Sequence, residues 1–230
     1  MIKPMNTATE AQRHRGLWRV FRLFSVPLWL CGCVLLGFSS AAFAQQACEV
    51  MAVSGEAQRV DGKALAVGDK LDVGTTLRTG AAGRVRLKFV DGSVVVLADK
   101  SQLRIEAFSV APAQPRAAEL LLETGLIGQR VTPSSGGSWR VRTPTAVTAV
   151  RGTEFSVEVG DDRATAVLVK TGEVDVEPAG PQTRGIKPRY PVRLQKKLNG
   201  THCDGSQCAA AMAWTADKVA RVEQRLGSLD

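Results

Sequence analysis

The chain has little with which to do chemistry. Of its 230 residues only two are histidines, His14 and His202, and aromatic residues make up 5%, with seven Phe, four Trp and one Tyr. No G-x-S-x-G elbow, H-E-x-x-H pair or phosphate-cradling glycine loop occurs, so hydrolase, zinc-protease and nucleotide-binding readings lose their usual carriers. Acidic residues are common enough that a carboxylate pair could form in space, but nothing in the sequence selects two of them. The expectation is a protein that is not an enzyme and uses no cofactor or metal. With so few aromatics, the core must be built from Val, Leu and Ala, which suits short strands better than an aromatic-lined pocket.

Long apolar runs are also scarce, with one exception. Basic residues end at Arg22, an apolar stretch follows from Leu23 to Phe43, and Ala42-Phe43-Ala44 has the small-x-small pattern of a secretory cleavage site. Residues 1–44 therefore read as a signal peptide. The alternative is a retained signal anchor, because about 20 apolar residues suffice to cross a bilayer. Either way residues 45–230 are expected across the inner membrane, in the periplasm, touching the membrane only if the leader is uncleaved.

The formal net charge of +8 is shared with that leader. Five of the 30 basic residues and one of the 22 acidic ones lie in residues 1–44. The remainder holds 25 against 21 and is only mildly basic, so charge gives no case for nucleic acid as a partner. Of the five cysteines, Cys48, Cys203 and Cys208 lie beyond the leader. In an oxidising compartment the natural disulfide is Cys203 with Cys208, leaving Cys48 buried, free or linked to another chain. Pairing of Cys48 with a C-terminal cysteine is the alternative. His202 with Cys203 and Cys208 would make three soft metal ligands, but a fourth is not evident. Asp61, Asp69 and Asp72 lack the D-x-D-x-D-G pattern of a calcium loop and fit turns equally well.

What is abundant is period-two alternation broken by glycine. Arg84-Val85-Arg86-Leu87-Lys88-Phe89 alternates charged with apolar, Asp91-Gly92 supplies a hairpin turn, and Val94–Leu97 follows. Glu154–Val159, Ala166–Val169 and Val174–Glu177 continue the pattern between Gly160-Asp161-Asp162 and Thr171-Gly172. Leu77-Arg78-Thr79-Gly80 leading to Phe89 is echoed by Val141-Arg142-Thr143-Pro144 leading to Phe155, and a second turn-and-strand unit follows each at unequal spacing, Asp91-Gly92-Ser93-Val94 in one and Thr171-Gly172-Glu173-Val174 in the other. The echo suggests two β-halves of similar build, stacked as a solenoid or packed as a sandwich. The predicted fold is mostly β over residues 50–177. A basic, proline-containing tether follows over 178–200, then a small disulfide loop and an amphipathic helix over 201–230, with Val219, Val222 and Leu226 on one face.

Four blocks in this order resemble the FecR domain, a periplasmic module of iron-transport signalling. They are Gly68–Leu71 with Leu77–Gly80; Val85–Ser93 with Leu103-Arg104-Ile105; Val141–Val147 with Ala149–Phe155; and Val167–Val174. The resemblance implies a binding or signalling module. Well-known members carry an anti-sigma segment ahead of a transmembrane helix. The 22 residues before the apolar run here are too few to fold around a sigma factor. The family motif is Arg151, Gly152, Thr153, Glu154 and Phe155. It reads structurally as a glycine bulge, an arginine paired with a carboxylate such as Glu154, and a core plug; functionally, Arg151 would touch a partner.

Candidate partner contacts are Arg151 and the row Arg84, Arg86 and Lys88, which an extended strand would project from one face. That row is either a solvated face that keeps an edge from aggregating or a docking surface for an acidic partner or an anionic envelope polymer. The expected function is a signalling, sensor or protein-interaction module. The alternative is a structural envelope module that holds peptidoglycan or another anionic polymer through the basic run from Arg184 to Lys197.

Overall fold

The computed structural model describes residues 45–111, 114–180, 192–195 and 197–229. The expected leader, most of the basic run and Pro112-Ala113 of the connection at 111–115 lie outside the described residues.

Sixteen strands and one helix occur among the described residues. In chain order the strands are β1 (Gln46–Ser54), β2 (Ala57–Arg59), β3 (Lys70–Asp72), β4 (Thr76–Thr79), β5 (Arg84–Phe89), β6 (Val94–Leu97), β7 (Gln102–Ser109) and β8 (Ala117–Arg130). There follow β9 (Ser138–Arg142), β10 (Ala146–Val150), β11 (Glu154–Val159), β12 (Thr165–Thr171), β13 (Val174–Pro178), β14 (Val192–Leu194), β15 (Asn199–Cys203) and β16 (Met212–Ala213), then α1 (Ala216–Leu226).

The strands form two sheets that share β8. Sheet A runs β3-β1-β5-β6-β8-β11-β12-β15-β16, and sheet B runs β2-β4-β7-β8-β9-β10-β13-β14. All pairings are antiparallel except β8 with β9. The fold is an open all-β sandwich with a C-terminal helix, as the alternation predicts.

The hinge between the sheets is Gly125. Before it Ala118, Leu120 and Leu122 are buried between the sheets; after it Ile127 and Gln129 are, while Leu126 is buried on the other face, beneath α1. Gly125 has φ +91°, a backbone conformation that costs an L side chain about 1–2 kcal/mol. The residues before it pair with β7 in sheet B, and those after it with β6 and β11 in sheet A. The Ser101 hydroxyl locks the corner: it accepts from the Leu126 amide at 2.9 Å and donates to the Asp99 carbonyl at 2.9 Å.

The core lies between the sheets. Phe89 of sheet A meets Trp139 of sheet B edge-on at 5.1 Å between ring centroids, and Phe108 at 5.2 Å. Strands with one wet face keep their alternation, as β5 and β9 do. In β12 the run Thr165–Val169 is buried on both faces, because α1 covers the outside of sheet A. Val219, Val222 and Leu226 of the helix, as expected from their spacing, pack there on Val96, Ala98, Leu126 and Leu168. Arg225 pairs with Asp99 at 2.9 Å and with Glu158; Lys170 bridges Glu154 and Glu223 at 3.2 and 3.4 Å.

Three expectations need correction. First, the β region does not stop at Glu177. Within the stretch read as a tether, β14 joins sheet B, and β15 begins in it and joins sheet A. The supposed boundary is a change of composition, with no change of fold. Second, the echo between the halves is real but offset. A sheet B strand, a sheet A hairpin and a sheet B return recur as β4-β5-β6-β7 and β10-β11-β12-β13, the outer pair hydrogen-bonded each time. Thus β4 corresponds to β10 and not to β9, whose end carries the Thr143-Pro144 echo. Third, Asp91-Gly92 turns a hairpin within sheet A, whereas Thr171-Gly172 carries the chain from sheet A to sheet B. The two turns are not equivalent.

Cysteine placement resolves the open alternatives. Cys203 and Cys208 form a disulfide, and Cys48 is free and buried on β1. Burial, helped by the nearby Asp72 charge, pushes the Cys48 thiol up to about 12. Native protein comprising residues 45–230 is therefore expected at pH 8 to leave Cys48 unmodified by a thiol reagent such as DTNB, with one equivalent reacting after disulfide-preserving denaturation; an uncleaved leader would add Cys31 and Cys33. Rapid reaction of the folded chain would contradict this. In the disulfide loop, Asp204 accepts from the Gln207 amide and from the Ser206 hydroxyl and amide, which holds its carboxyl at about 2. Because the folded value is depressed, this contribution is full above the unfolded carboxylate range and is lost as pH falls through about 2. Carboxyl NMR shifts of Asp204 should titrate there and not near 4.

Candidate functional site

The family motif is the passage from sheet B back to sheet A. Gly152 has φ +86°, and a Cβ there would lie 2.8 Å from the Pro133 Cα. Thr153 donates its hydroxyl to the Glu173 carbonyl at 2.9 Å, and Phe155 is buried in the core. Glu154 takes Arg130 and Lys170, at 3.3 and 3.2 Å, in place of the expected Arg151. Arg151 stays exposed. The preceding block is likewise a corner: the Thr143 hydroxyl accepts the Ala146 amide at 2.8 Å and meets the Thr165 hydroxyl at 2.6 Å. Four of the five motif residues thus hold the backbone, and Arg151 is left to face solvent.

The predicted contact residues do not come together. Arg84 and Arg86 lie on the outer face of sheet A and turn to the end of α1, donating to the Gln224 carbonyl at 3.1 Å and to the Ser228 carbonyl. Cations at a helix C-terminus are favoured by its dipole. Lys88 is exposed farther along β5. Arg151 belongs to the sheet B side, so the four residues divide between two faces.

Among the described residues, one of those faces is uncovered. Sheet A is covered by the chain's own helix, whereas the outer face of sheet B holds two grooves of about 390 and 600 Å³. They share Arg140, Ala149 and Asp175 and run together along β10. Ala149 stands in register with Arg140 of β9 and Asp175 of β13, and Val147 with Arg142 and Glu177. Arg142 also reaches Glu106 and Glu119 at 3.4 and 3.3 Å, while Arg193 of β14 spans Glu173 and Asp175 at 2.8 and 2.9 Å. Arg151 lies at the end of the wider groove beside Gly136 and Gly137.

Among the described residues no group of three or more His, Cys, Asp or Glu is placed to hold a metal ion. The Asp204 carboxyl is held low by its turn, far from the raised value a general acid needs. Asp61 and Asp69 accept the Lys63 and Ala66 amides at 3.0 Å, closing turns as expected for them. This face offers charge and shape, with arginines on one strand and carboxylates on another.

Of the charged residues on this face, sequence reasoning singled out Arg151 and passed over Arg140, Arg142, Asp175 and Glu177. Their signal was present, since each is the polar member of an alternating strand. What could not be read was that β9 and β13 flank the same strand.

The family model described as FecR protein matches residues 75–175. Among solved structures, a proposed anti-sigma factor from Parabacteroides distasonis aligns at 22% identity with a TM-score of 0.50, covering 64% of this chain and 62% of that one. A second structure of the same description gives 23% identity and 0.48, covering 64% and 63%. This chain spans less than two thirds of the length of either, and at such identity the first likeness speaks for a shared fold. No curated protein matches the chain.

Proposed function

Because the chain carries a FecR domain over residues 75–175, we propose that it is a non-catalytic signalling module that works by contact with another envelope protein outside the cytoplasm. The family match carries the reading. The description of the structural neighbour as an anti-sigma factor agrees with a regulatory role. The Cys203–Cys208 disulfide agrees with an oxidising compartment, and the apolar stretch from Leu23 to Phe43 with export. Sheet B is the face assigned to the partner, because α1 occupies the corresponding face of sheet A.

The test is site-specific photo-cross-linking in cells, with the photoreactive residue at Ala149 on sheet B or at the exposed Arg221 on α1. A discrete protein adduct is expected from position 149 and none from position 221. Adducts to no protein, or equal labelling from both positions, would overturn the reading, as would co-sedimentation with purified sacculi in place of a protein adduct. An alkaline phosphatase fused after Asp230 should be active; an inactive, cytoplasmic fusion would remove the exported part of the proposal.

A further inference from the structure

The groove along β10 has walls of opposite charge. At two successive outward positions of the floor the side chains are small, Val147 and Ala149, and each stands between a cation on β9 and an anion on β13: Arg142 and Glu177 beside Val147, Arg140 and Asp175 beside Ala149. The flanking strands are about 10 Å apart, twice the usual strand spacing. Ion pairs of the wall residues lead away from the floor: Arg142 reaches toward β7 and β8, and Asp175 toward β14. Among the described residues Arg140 and Arg151 have no ion-pair partner.

We propose that this trough receives an extended segment of a partner polypeptide in which acidic and basic side chains alternate. Resting on the protein-contact reading above, this names the chemistry of what is bound. An extended chain sends successive side chains to opposite sides, with same-side residues about 7 Å apart. Arg140 and Arg142 are themselves two residues apart on a strand, as are Asp175 and Glu177, so each wall repeats at that same interval. A segment lying edge-down over Ala149 and Val147 would turn its acids to β9 and its bases to β13. An α-helix, about 10–12 Å across with its side chains, is too wide for the space left between projecting arginines and carboxylates. A polymer of one sign, whether anionic glycan or polylysine, would meet repulsion from one wall all along its length. Exposed charge pairs are individually weak and screened by salt, so the contact is modest in affinity and salt-sensitive, and its selectivity comes from the pattern.

The full chain would be titrated with fluorescein-labelled decapeptides of identical composition, one alternating Glu and Lys and one with five Glu followed by five Lys, at low ionic strength. The alternating peptide is expected to bind at least about tenfold more tightly, a difference of about 1.4 kcal/mol. Its affinity should fall by a similar factor in Arg140→Glu and in Glu177→Lys. Ala149→Trp, which fills the exposed floor, should abolish binding while circular dichroism stays unchanged. Equal binding of the two peptides, preference for an all-Glu or all-Lys peptide, or indifference to these substitutions would overturn the inference. If the peptides fail while cross-linking from position 149 still captures a protein, the signalling reading stands and the extended-segment proposal falls. Loss of the cross-link in wild type removes the signalling reading itself.

Discussion

Replacing Asp91 with alanine is expected to destabilise the protein by about 3–5 kcal/mol, the usual cost of breaking a buried ion pair from one side. Arg116 is buried at the end of the core, where its Nη1 donates to Asp91 at 2.6 Å and to the Thr132 carbonyl at 2.8 Å. Its guanidinium lies over the Trp139 ring, 5.5 Å from the centroid. Among the described residues the Nε and Nη2 atoms have no hydrogen-bond partner and Asp91 is the one counter-charge, on a cation that is almost fully buried. Asp91 also accepts from the Ser93 amide and hydroxyl at 2.9 and 2.8 Å, tying the β5–β6 turn to the same point. Domains of this size are stable by about 5–15 kcal/mol, so the variant would sit near the edge of folding. Urea denaturation measures it, as a lowered midpoint with an unchanged slope. The double variant Asp91→Asn/Arg116→Met should recover most of the loss, because burying an apolar chain in place of a pair is often neutral. A single variant costing under about 1 kcal/mol would show that the pair is solvated in solution.

Gly125→Ala is the second large effect, at about 2–5 kcal/mol when backbone strain and overpacking act together. The φ of +91° accounts for part. The rest comes from close approach: a Cβ would lie 2.1 Å from the Ser101 hydroxyl and 2.4 Å from its Cα, and backbone cannot move aside as a flexible side chain can. Gly68 separates the two terms. Its φ is +89° with nothing within 4 Å of a Cβ, so Gly68→Ala should cost only the conformational part, about 1–2 kcal/mol. Equal losses in the two variants would mean that the corner yields freely and that β8 is not pinned by Ser101.

Much of this architecture was legible because its signals are local. Arg84–Phe89 and Glu154–Val159 alternate with the pleat, Asp91-Gly92 closes its hairpin, Val219, Val222 and Leu226 mark a helical face, and the bridged cysteines lie close in sequence, at 203 and 208. What stayed hidden is non-local. The central strand β8 gives no steady period, because it alternates up to Leu122 and is buried on both faces from Gly125 to Gln129. Arg116 follows a proline in a polar stretch and looks exposed; only the meeting of Phe89, Asp91 and Trp139 from distant strands buries it. Val192–Leu194 and Asn199–Cys203 sit among basic residues and carry too few apolar positions to announce strands, yet partners β12 and β13 were waiting for them. The trough is the plainest case. Arg140 and Asp175 are ordinary outward residues until β10 is found between them. Arg84 and Arg86, conspicuous in sequence, are taken up by the chain's own tail.

The unbroken run of β8 from one layer into the other has a mechanical consequence. Ladder bonds of both layers hang on a single backbone segment, so neither layer has a seam along which to peel away alone. Amides on either side of Gly125 should therefore lose deuterium protection together, in one global opening, while α1 can fray by itself. Tension applied anywhere along either layer would be borne by the same fourteen residues.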